Sequence, residues 1–247
     1  MKLPIVPCLL LLFFAQPPAV AEDLLARNQR QLVVLMHGLG RSRESMKVLE
    51  KRLFQQGYEV HNLNYPSRKR SIDDLVEVLH EDLTRCCVAP ERKIHFVTHS
   101  LGGILVRAYL KKYLIENLGR VVMMSPPNQG SEIVDLLRDL WLFQKVTGPA
   151  GQQLGTDSTS VPNSLGPVTF TLGIITGNRS INPFFSWVIP GPDDGQVAVE
   201  RAKVEGMTDF LIVPYGHTFI MRREAVAQQT VHFLRTGHFR RAIDDER

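Results

Sequence analysis

The chain has 247 residues, of which 44% are hydrophobic and 22% are charged, and its formal net charge is +4. These values are those of a globular protein with enough apolar residues for a sizeable core, and they exclude collagen-like, low-complexity and disordered chains. The positive charges are scattered and form no long Lys/Arg block, so we expect no nucleic-acid partner.

The first residues have the pattern of a secretory signal peptide, which we predict over residues 1–21. Lys2 supplies a positive charge, residues 9–14 form an apolar core, and residues 19–21 provide a small-residue cleavage site. The apolar run is shorter than the roughly 20 residues that span a bilayer. We therefore expect an exported protein, periplasmic or extracellular, whose mature chain is residues 22–247.

In the mature chain, apolar runs of strand length alternate with stretches of helical periodicity. Such alternation predicts the α/β fold class, with a mainly parallel sheet and helices on both of its faces. The predicted strands are residues 31–36, 58–63, 93–97, 120–124, 169–175 and 210–213. The predicted helices are residues 44–56, a helix that follows the N-cap Ser71, and residues 101–115, 132–143 and 218–234.

The alternation is interrupted between about residues 126 and 167. This segment, which we call the excursion, holds one predicted amphipathic helix and then a Gly/Pro/Ser/Thr-rich stretch over residues 147–164. Because no linker-like change of composition divides the chain, we predict a single domain with a lid-like excursion. Apolar side chains in residues 136–143 and 183–187 would either line a pocket for an acyl chain or simply pack on the sheet.

A serine lies between the third predicted strand and the helix after it, in the segment Thr98-His99-Ser100-Leu101-Gly102-Gly103. On a sharp strand-to-helix turn, a serine hydroxyl projects over the carboxyl end of the sheet. The usual pattern is G-x-S-x-G, and Thr98 stands where its first glycine would be. We predict that Ser100 is a nucleophile, the alternative being a serine that only caps the helix.

Attack by a serine on an acyl group also needs N–H donors for the oxyanion that forms. The N–H of Leu101 directly follows the predicted nucleophile, and the loop His37-Gly38-Leu39-Gly40 after the first strand can supply the N–H of Leu39. We therefore predict an oxyanion hole made by Leu39 and Leu101. The two glycines alone would also fit an ordinary strand-to-helix turn, and we expect a supporting role for His37.

The general base must come from the eight histidines. His217 follows the last predicted strand, in a loop at the same edge of the sheet as Ser100, and we predict that it is the base. His99 adjoins the nucleophile and cannot easily turn back toward the serine hydroxyl. The remaining histidines lie within predicted elements or in the tail.

The acid that orients the base should lie between Ser100 and His217 in the chain. A polar turn over residues 191–197 contains both Asp193 and Asp194. We predict Asp194 and keep Asp193 as the alternative. Two further aspartates of the excursion are weaker candidates: Asp135 and Asp157.

Cys86 and Cys87 are adjacent in the sequence. Because an ordinary disulfide between neighbours is geometrically awkward, we expect two free thiols at the end of a helix. The cysteines show no metal-ligand spacing.

Four short loops together resemble those of the α/β-hydrolase superfamily: His37 to Gly40, Thr98 to Gly103, Asp194-Gly195 and Gly216-His217. Within it the chain is similar to small secreted lipase/esterase-like proteins related to the deacylases of glycosylphosphatidylinositol lipids. The resemblance implies a carboxylic ester hydrolase with Ser100 as nucleophile, Asp194 as acid and His217 as base, without a metal or an organic cofactor.

The same resemblance implies a small-molecule or lipid ester as the substrate, and it leaves room for transient contact with a membrane surface. Two alternatives remain open at this point. One is an acyltransferase or thioesterase that uses the same three residues, and the other is a hydrolase-like binding protein without catalysis.

Overall fold

The computed structural model describes residues 31–87 and 92–241, so the predicted signal peptide lies outside the described residues. Its centre is a six-stranded sheet in the order β2-β1-β3-β4-β5-β6. All neighbouring strands are parallel, which confirms the predicted fold class. The strands are β1 (Leu32–Met36), β2 (Glu59–Leu63), β3 (Ile94–His99), β4 (Leu118–Met124), β5 (Leu172–Gly177) and β6 (Asp209–Val213).

Helices connect the strands and cover the sheet. The α-helices of the described residues are α1 (Lys47–Gln55), α2 (Ile72–Cys86), α3 (Leu101–Lys112), α4 (Glu132–Leu137), α5 (Trp141–Gln152), α6 (Val161–Ser164), α7 (Pro183–Val188) and α8 (Glu224–Thr236). Short 3₁₀ helices are formed by Arg43–Met46, Glu200–Ala202 and His217–Arg222.

Both faces of the sheet are buried, because helices lie on each of them. Along β1, Val34 belongs to the cluster that includes apolar residues of α2 and α3. Its neighbours Val33 and Leu35 belong to the cluster that includes residues of α1 and α8. Alternate side chains of a strand point to opposite faces, so this double coverage explains why the strands read as continuous apolar runs.

The helices of the excursion differ from the prediction. The expected helix over residues 132–143 is two helices, because Leu140 has extended backbone (φ −79°, ψ 119°) between α4 and α5. The stretch expected to be irregular holds the end of α5 and all of α6. Within α5, Gly148 (φ 66°, ψ −172°) breaks the helical path just before Pro149.

The last predicted helix also has a break. It begins as the 3₁₀ helix His217–Arg222, and α8 starts only after Arg223, whose ψ of 130° is extended. Gly237 ends α8 in the left-handed conformation (φ 88°, ψ 2°), which glycine adopts without steric cost. His217 is the first residue of this 3₁₀ helix and follows β6 after a short loop.

A buried arginine ties the excursion to the rest of the domain. Arg107 of α3 is 4% exposed, and its guanidinium donates to the backbone oxygens of Asn128 (2.9 Å) and Gly166 (2.7 Å). The Asn128 side chain donates in turn to the backbone oxygen of Ala202 at 2.8 Å. Burial lowers the pKa of Arg107 to about 10, so the group stays charged while it joins both ends of the excursion.

The expectation of two free thiols was wrong, because Cys86 and Cys87 form a disulfide. Helix α2 ends at Cys86, and Cys87 leaves the helical conformation (φ −127°, ψ 12°). This change of backbone direction at the helix terminus lets the two sulfur atoms meet across a single peptide bond.

Candidate active site

Ser100 lies on a sharp turn between β3 and α3. Its φ of 53° and ψ of −121° fall in a region that residues other than glycine rarely adopt. The turn is held by hydrogen bonds from the Ser100 N–H to the Met124 oxygen and from the Gly103 N–H to the Ser100 oxygen, both 2.9 Å. Such a strained turn, fixed from both sides, gives the serine side chain a defined position.

Two glycines let α3 begin directly against the sheet. A Cβ at Gly102 would lie 2.8 Å from the Met36 oxygen, and a Cβ at Gly103 would lie 3.0 Å from the Cβ of Pro126. The Oγ1 of Thr98 is 3.4 Å from that same position at Gly103. Thr98, which stands where the usual pattern has glycine, is thus at ordinary van der Waals distance from this position and fits the turn.

The structure brings Ser100, Asp194 and His217 together. His217 Nε2 lies 3.0 Å from Ser100 Oγ, and His217 Nδ1 lies 2.9 Å from Asp194 Oδ2. All three residues are at most 9% exposed, so water competes little for these hydrogen bonds. They meet because the loops after β3, β5 and β6 all emerge at the carboxyl edge of one parallel sheet.

The turn that contains Asp194 also orients its carboxylate. Oδ1 accepts hydrogen bonds from the N–H groups of Gln196 (3.0 Å) and Val197 (2.9 Å), which leaves Oδ2 for His217. Burial is the largest influence on the pKa of Asp194 and raises it. The electrostatic attraction and the hydrogen bond of His217, with the backbone N–H of Val197, outweigh burial and hold the pKa below its ordinary value.

Asp193, the alternative acid, faces a different way. Its Oδ1 accepts from the Gly195 N–H at 2.7 Å and from the Ser186 hydroxyl at 3.1 Å, so it connects the turn to α7. The weaker candidates, Asp135 and Asp157, both pair with Arg138 inside the excursion. The structure therefore places Asp194, and none of the other three aspartates, against His217.

His99 contacts the backbone of His217 and makes no bond to Ser100. Its Nε2 lies 3.0 Å from the His217 oxygen, and the two rings are 4.9 Å apart between centroids. Burial, followed by the electrostatic effect of the neighbouring His217 ring, holds the pKa of His99 well below its ordinary value of 6.5. A neutral His99 can donate this bond and so support the turn of His217, a contact that the sequence did not predict.

The loop after β1 approaches Ser100 closely. A Cβ at Gly38 would lie 3.2 Å from the Cβ of Ser100 and 2.8 Å from Nδ1 of His99. Leu39 lines the same cleft as Ser100, and Leu101 is the first residue of α3, whose N–H lacks an acceptor within its own helix. Both predicted oxyanion donors thus lie on the two segments that meet at Ser100.

His37 has the supporting position that we expected. Its ring stacks on Tyr65 with 4.1 Å between centroids. The Tyr65 N–H donates a hydrogen bond to His37 Nε2 at 3.4 Å, and the Tyr65 hydroxyl donates one to the backbone oxygen of His37. Burial lowers the pKa of His37, so a neutral imidazole anchors the start of this loop against the chain that follows β2.

Ser100 and His217 open into a cleft of about 430 Å³. Much of its wall is apolar and comes from the excursion and α7. The apolar lining residues of these segments are Ile133, Val134, Leu137, Phe143, Val146, Leu154 and Phe185. An acyl chain would find apolar contacts there, next to a few polar groups that can carry out chemistry.

Away from the cleft, one group of side chains within the described part of the chain has ligand atoms close enough together to hold a metal ion. It consists of His61, Asp82 and Cys86. His61 Nε2 is already bonded to Asp82 at 2.5 Å, and Cys86 has no thiolate to offer because it is disulfide-bonded. None of the three lines the cleft.

Over residues 31–87 and 92–241, no helix combines the length and apolar character needed to cross a membrane.

A family model described as the alpha/beta hydrolase family matches residues 33–240. Among solved structures, the chain is similar to the mature lipase BlEst2 of Bacillus licheniformis, with 18% identity and a TM-score of 0.63, over 83% of this chain and 92% of the lipase. It is also similar to the phospholipase PlaB of Legionella pneumophila in complex with thio-NAD, with 16% identity and a TM-score of 0.70, over 84% of this chain and 59% of PlaB.

A third similar structure is the monoacylglycerol lipase of Paleococcus ferrophilus, with 15% identity and a TM-score of 0.55, over 85% of this chain and 96% of that lipase. At these identities the likeness shows the shared fold. No curated protein matches the chain.

Proposed function

Because the chain belongs to the alpha/beta hydrolase family, we propose that it is a serine hydrolase that cleaves carboxylic esters through an acyl-enzyme at Ser100. The observation that carries the proposal is the hydrogen-bonded chain from Asp194 through His217 to Ser100, beside an apolar cleft. Similar folds in proteins described as lipases and a phospholipase support the same reaction class.

The first half of the reaction transfers the acyl group to the enzyme. Ser100 Oγ attacks the ester carbonyl carbon while His217 Nε2 takes the hydroxyl proton. The Asp194 carboxylate accepts a hydrogen bond from His217 Nδ1–H and stabilises the imidazolium that forms. The N–H groups of Leu39 and Leu101 donate to the oxyanion, and His217 then gives its proton to the departing alcohol oxygen.

The second half releases the acyl group. A water molecule gives a proton to His217 Nε2 and attacks the acyl carbon, and the proton then returns to Ser100 Oγ as the carboxylic acid departs. An alcohol or a thiol in place of water would make the same protein an acyltransferase. A thioester in place of the ester would make it a thioesterase.

We assign the apolar wall of the cleft to the acyl chain of the substrate. The pattern of residues 1–21 supports action after export, in a periplasmic or extracellular space. The proposed substrates are therefore small-molecule or lipid esters that occur outside the cytoplasm, with glycosylphosphatidylinositol lipids among those to be tested. Transient contact with a membrane surface would give access to lipid esters.

The direct test is hydrolysis of p-nitrophenyl acetate, octanoate and palmitate by the wild type and by Ser100→Ala. We expect Ser100→Ala to lower kcat by about 10⁵- to 10⁶-fold. Ser164→Ala, which removes an exposed serine outside the cleft, should retain wild-type activity. Mass spectrometry of the wild type during turnover should show an acyl adduct on the peptide that contains Ser100.

Other results would select the alternatives. Equal rates for the wild type and Ser100→Ala would mean that Ser100 is not the nucleophile. No hydrolysis of any ester or thioester by the wild type would favour a binding protein. Formation of acylated glycerol in preference to free acid, when glycerol is added, would favour acyl transfer.

A further inference from the structure

Two arginines line the cleft that contains Ser100 and His217, namely Arg41 and Arg68. No aspartate or glutamate is among the residues that line this cleft. Within the described residues, neither arginine forms an ion pair with a carboxylate. The cleft therefore carries two positive charges that no side chain of its own lining neutralises.

The loop that carries Arg68 is fixed at the cleft by its backbone. The Ala150 N–H donates to the Arg70 oxygen at 3.1 Å. Gly148 lies so close to this loop that a Cβ there would be 1.8 Å from the Arg68 oxygen. On its other side, the Ser67 hydroxyl oxygen accepts the Gly40 N–H at 3.0 Å. These contacts with two different segments hold the base of the Arg68 side chain beside the cleft.

Both arginines flank the loop of the predicted oxyanion donor Leu39. Arg41 directly follows Gly40 in the chain, and the Cδ of Arg68 is 3.5 Å from the position of a Cβ at Gly40. A group bound by these arginines would therefore lie near the carbonyl that Ser100 attacks.

The order of strands separates the cations from much of the apolar wall. Arg41 and Arg68 follow β1 and β2, on one side of β3, whereas α4 and α7 follow β4 and β5, on its other side. Ser100, after β3, lies between the two groups of loops. The cleft can thus hold an ester whose two ends differ in polarity.

We propose that the substrate is an anionic amphiphile, an ester whose acyl chain lies on the apolar wall and whose phosphate group binds Arg41 and Arg68. This inference rests on the proposed function for the identity of the reacting ester. Guanidinium groups suit this task because they are always charged and bind phosphate oxygens through paired N–H donors. A phosphate ester with one fatty acyl group, such as an acylglycerol phosphate, has the required chemistry.

Binding can be tested without turnover, by calorimetric titration of Ser100→Ala with octyl phosphate, octanol and inorganic phosphate. We expect octyl phosphate to bind at least about tenfold more weakly when Arg41→Gln and Arg68→Gln are added, since exposed charge pairs are each worth a few-fold in affinity. Octanol binding should not change. Arg43→Gln with Lys51→Gln, which removes two charges outside the cleft, is the matched control and should bind like its parent.

Three titration results would overturn the inference. The first is equal affinity for octyl phosphate with and without the two arginines. The second is an equal loss in the control pair, which would indicate a general charge effect. The third is binding of inorganic phosphate as tight as that of octyl phosphate, which would indicate a free-phosphate site and no substrate subsite.

Kinetics then test the link to the reaction, with octanoylglycerol phosphate and octanoylglycerol as dissolved substrates below their aggregation thresholds. We expect Arg41→Gln/Arg68→Gln to lower the preference in kcat/KM for the phosphate ester over the neutral ester about tenfold, through the KM of the phosphate ester. A preference for the phosphate ester that appears only in anionic vesicles would instead assign the arginines to a lipid surface.

These outcomes separate the inference from the proposed function. Hydrolysis that depends on Ser100 but shows no preference for the phosphate ester would overturn the inference alone. Octyl phosphate binding through the two arginines without hydrolysis of any ester would overturn the proposed function and leave the anion site in place.

Discussion

The carboxyl edge of the sheet and the excursion build the same cleft in different ways. At the sheet edge, Ser100, Asp194 and His217 are buried and joined by hydrogen bonds. In the excursion, apolar side chains divide between the cleft and the solvent, since Phe143 lines the cleft while Trp141 is 70% exposed. The proposed reactive groups are thus placed by backbone constraints, whereas the proposed substrate contacts come from side chains of the excursion that line the same cleft.

After the loss of Ser100 itself, the largest effect should come from changing the acid at the sheet edge. Asp194→Asn keeps the shape of the side chain but removes the carboxylate that accepts the His217 Nδ1–H, so we expect kcat to fall about 10⁴-fold. Asp193→Asn should keep kcat within about tenfold and lower the free energy of unfolding by about 1 kcal/mol, because Asp193 only holds the turn. Steady-state hydrolysis of p-nitrophenyl octanoate and urea denaturation measure the two quantities.

The comparison between the two aspartates is itself a control, because the same chemical change is made at neighbouring positions. Similar losses of kcat in both variants would mean that the turn as a whole, and no single carboxylate, supports His217.

A smaller effect is expected where the two regions are joined. Arg107→Leu leaves the carbonyl groups of Asn128 and Gly166 without their buried donor, so the free energy of unfolding should fall by about 3 kcal/mol. Lys111→Gln is the matched variant, because Lys111 also donates to the excursion, at the Ser164 oxygen (2.9 Å), but from an exposed position. It should cost about 0.5 kcal/mol or less.

Urea denaturation of both variants, followed by limited proteolysis to locate loosened segments, checks this expectation. A neutral or stabilising Arg107→Leu would show that apolar packing alone holds the excursion, since replacement of a buried charge by an apolar side chain is sometimes favourable.

The residues at the carboxyl edge of the sheet could be predicted from the sequence, because chain order and strand direction determine which loops lie there. Parallel strands all end at one edge, so a serine after β3 and a histidine after β6 share that edge. Because β4 and β5 lie between the two strands, the loop after β6 has to bring His217 back to Ser100. The choice between Asp193 and Asp194 stayed open, because adjacent residues in a turn point in different directions. Only the backbone bonds of Gln196 and Val197 to Asp194 Oδ1 decide which carboxylate faces His217.

The excursion could be predicted only in outline. Its helical periodicity continues across Leu140, where the structure has extended backbone, so the pattern carried no signal for the break. Gly148-Pro149 was a local signal for the second break, but the contact of Gly148 with Arg68 comes from a distant part of the chain. The Cys86–Cys87 disulfide was missed for a similar reason, because the backbone direction at a helix end depends on packing around it.

The smallest effect on stability should come from two exposed tryptophans on α5 and α7, the helices that also carry the cleft-lining residues Phe143 and Phe185. Trp141 and Trp187 are 70% and 84% exposed, so Trp141→Ser with Trp187→Ser should change the free energy of unfolding by less than about 0.5 kcal/mol each. Hydrolysis of dissolved p-nitrophenyl octanoate should stay within about twofold, whereas activity on an emulsified long-chain ester should fall about threefold or more, because exposed aromatic residues favour contact with a lipid surface.

Phe185→Ser is the matched change inside the cleft, since Phe185 lies on the same helix as Trp187 but lines the cavity. It should slow hydrolysis of dissolved long-chain esters as well as emulsified ones, because it removes a contact to the acyl chain itself. If the tryptophan variants slow dissolved esters as much as Phe185→Ser does, the two tryptophans and the cleft wall act on the substrate as one surface. A loss confined to emulsions would instead separate lipid-surface contact from acyl-chain binding.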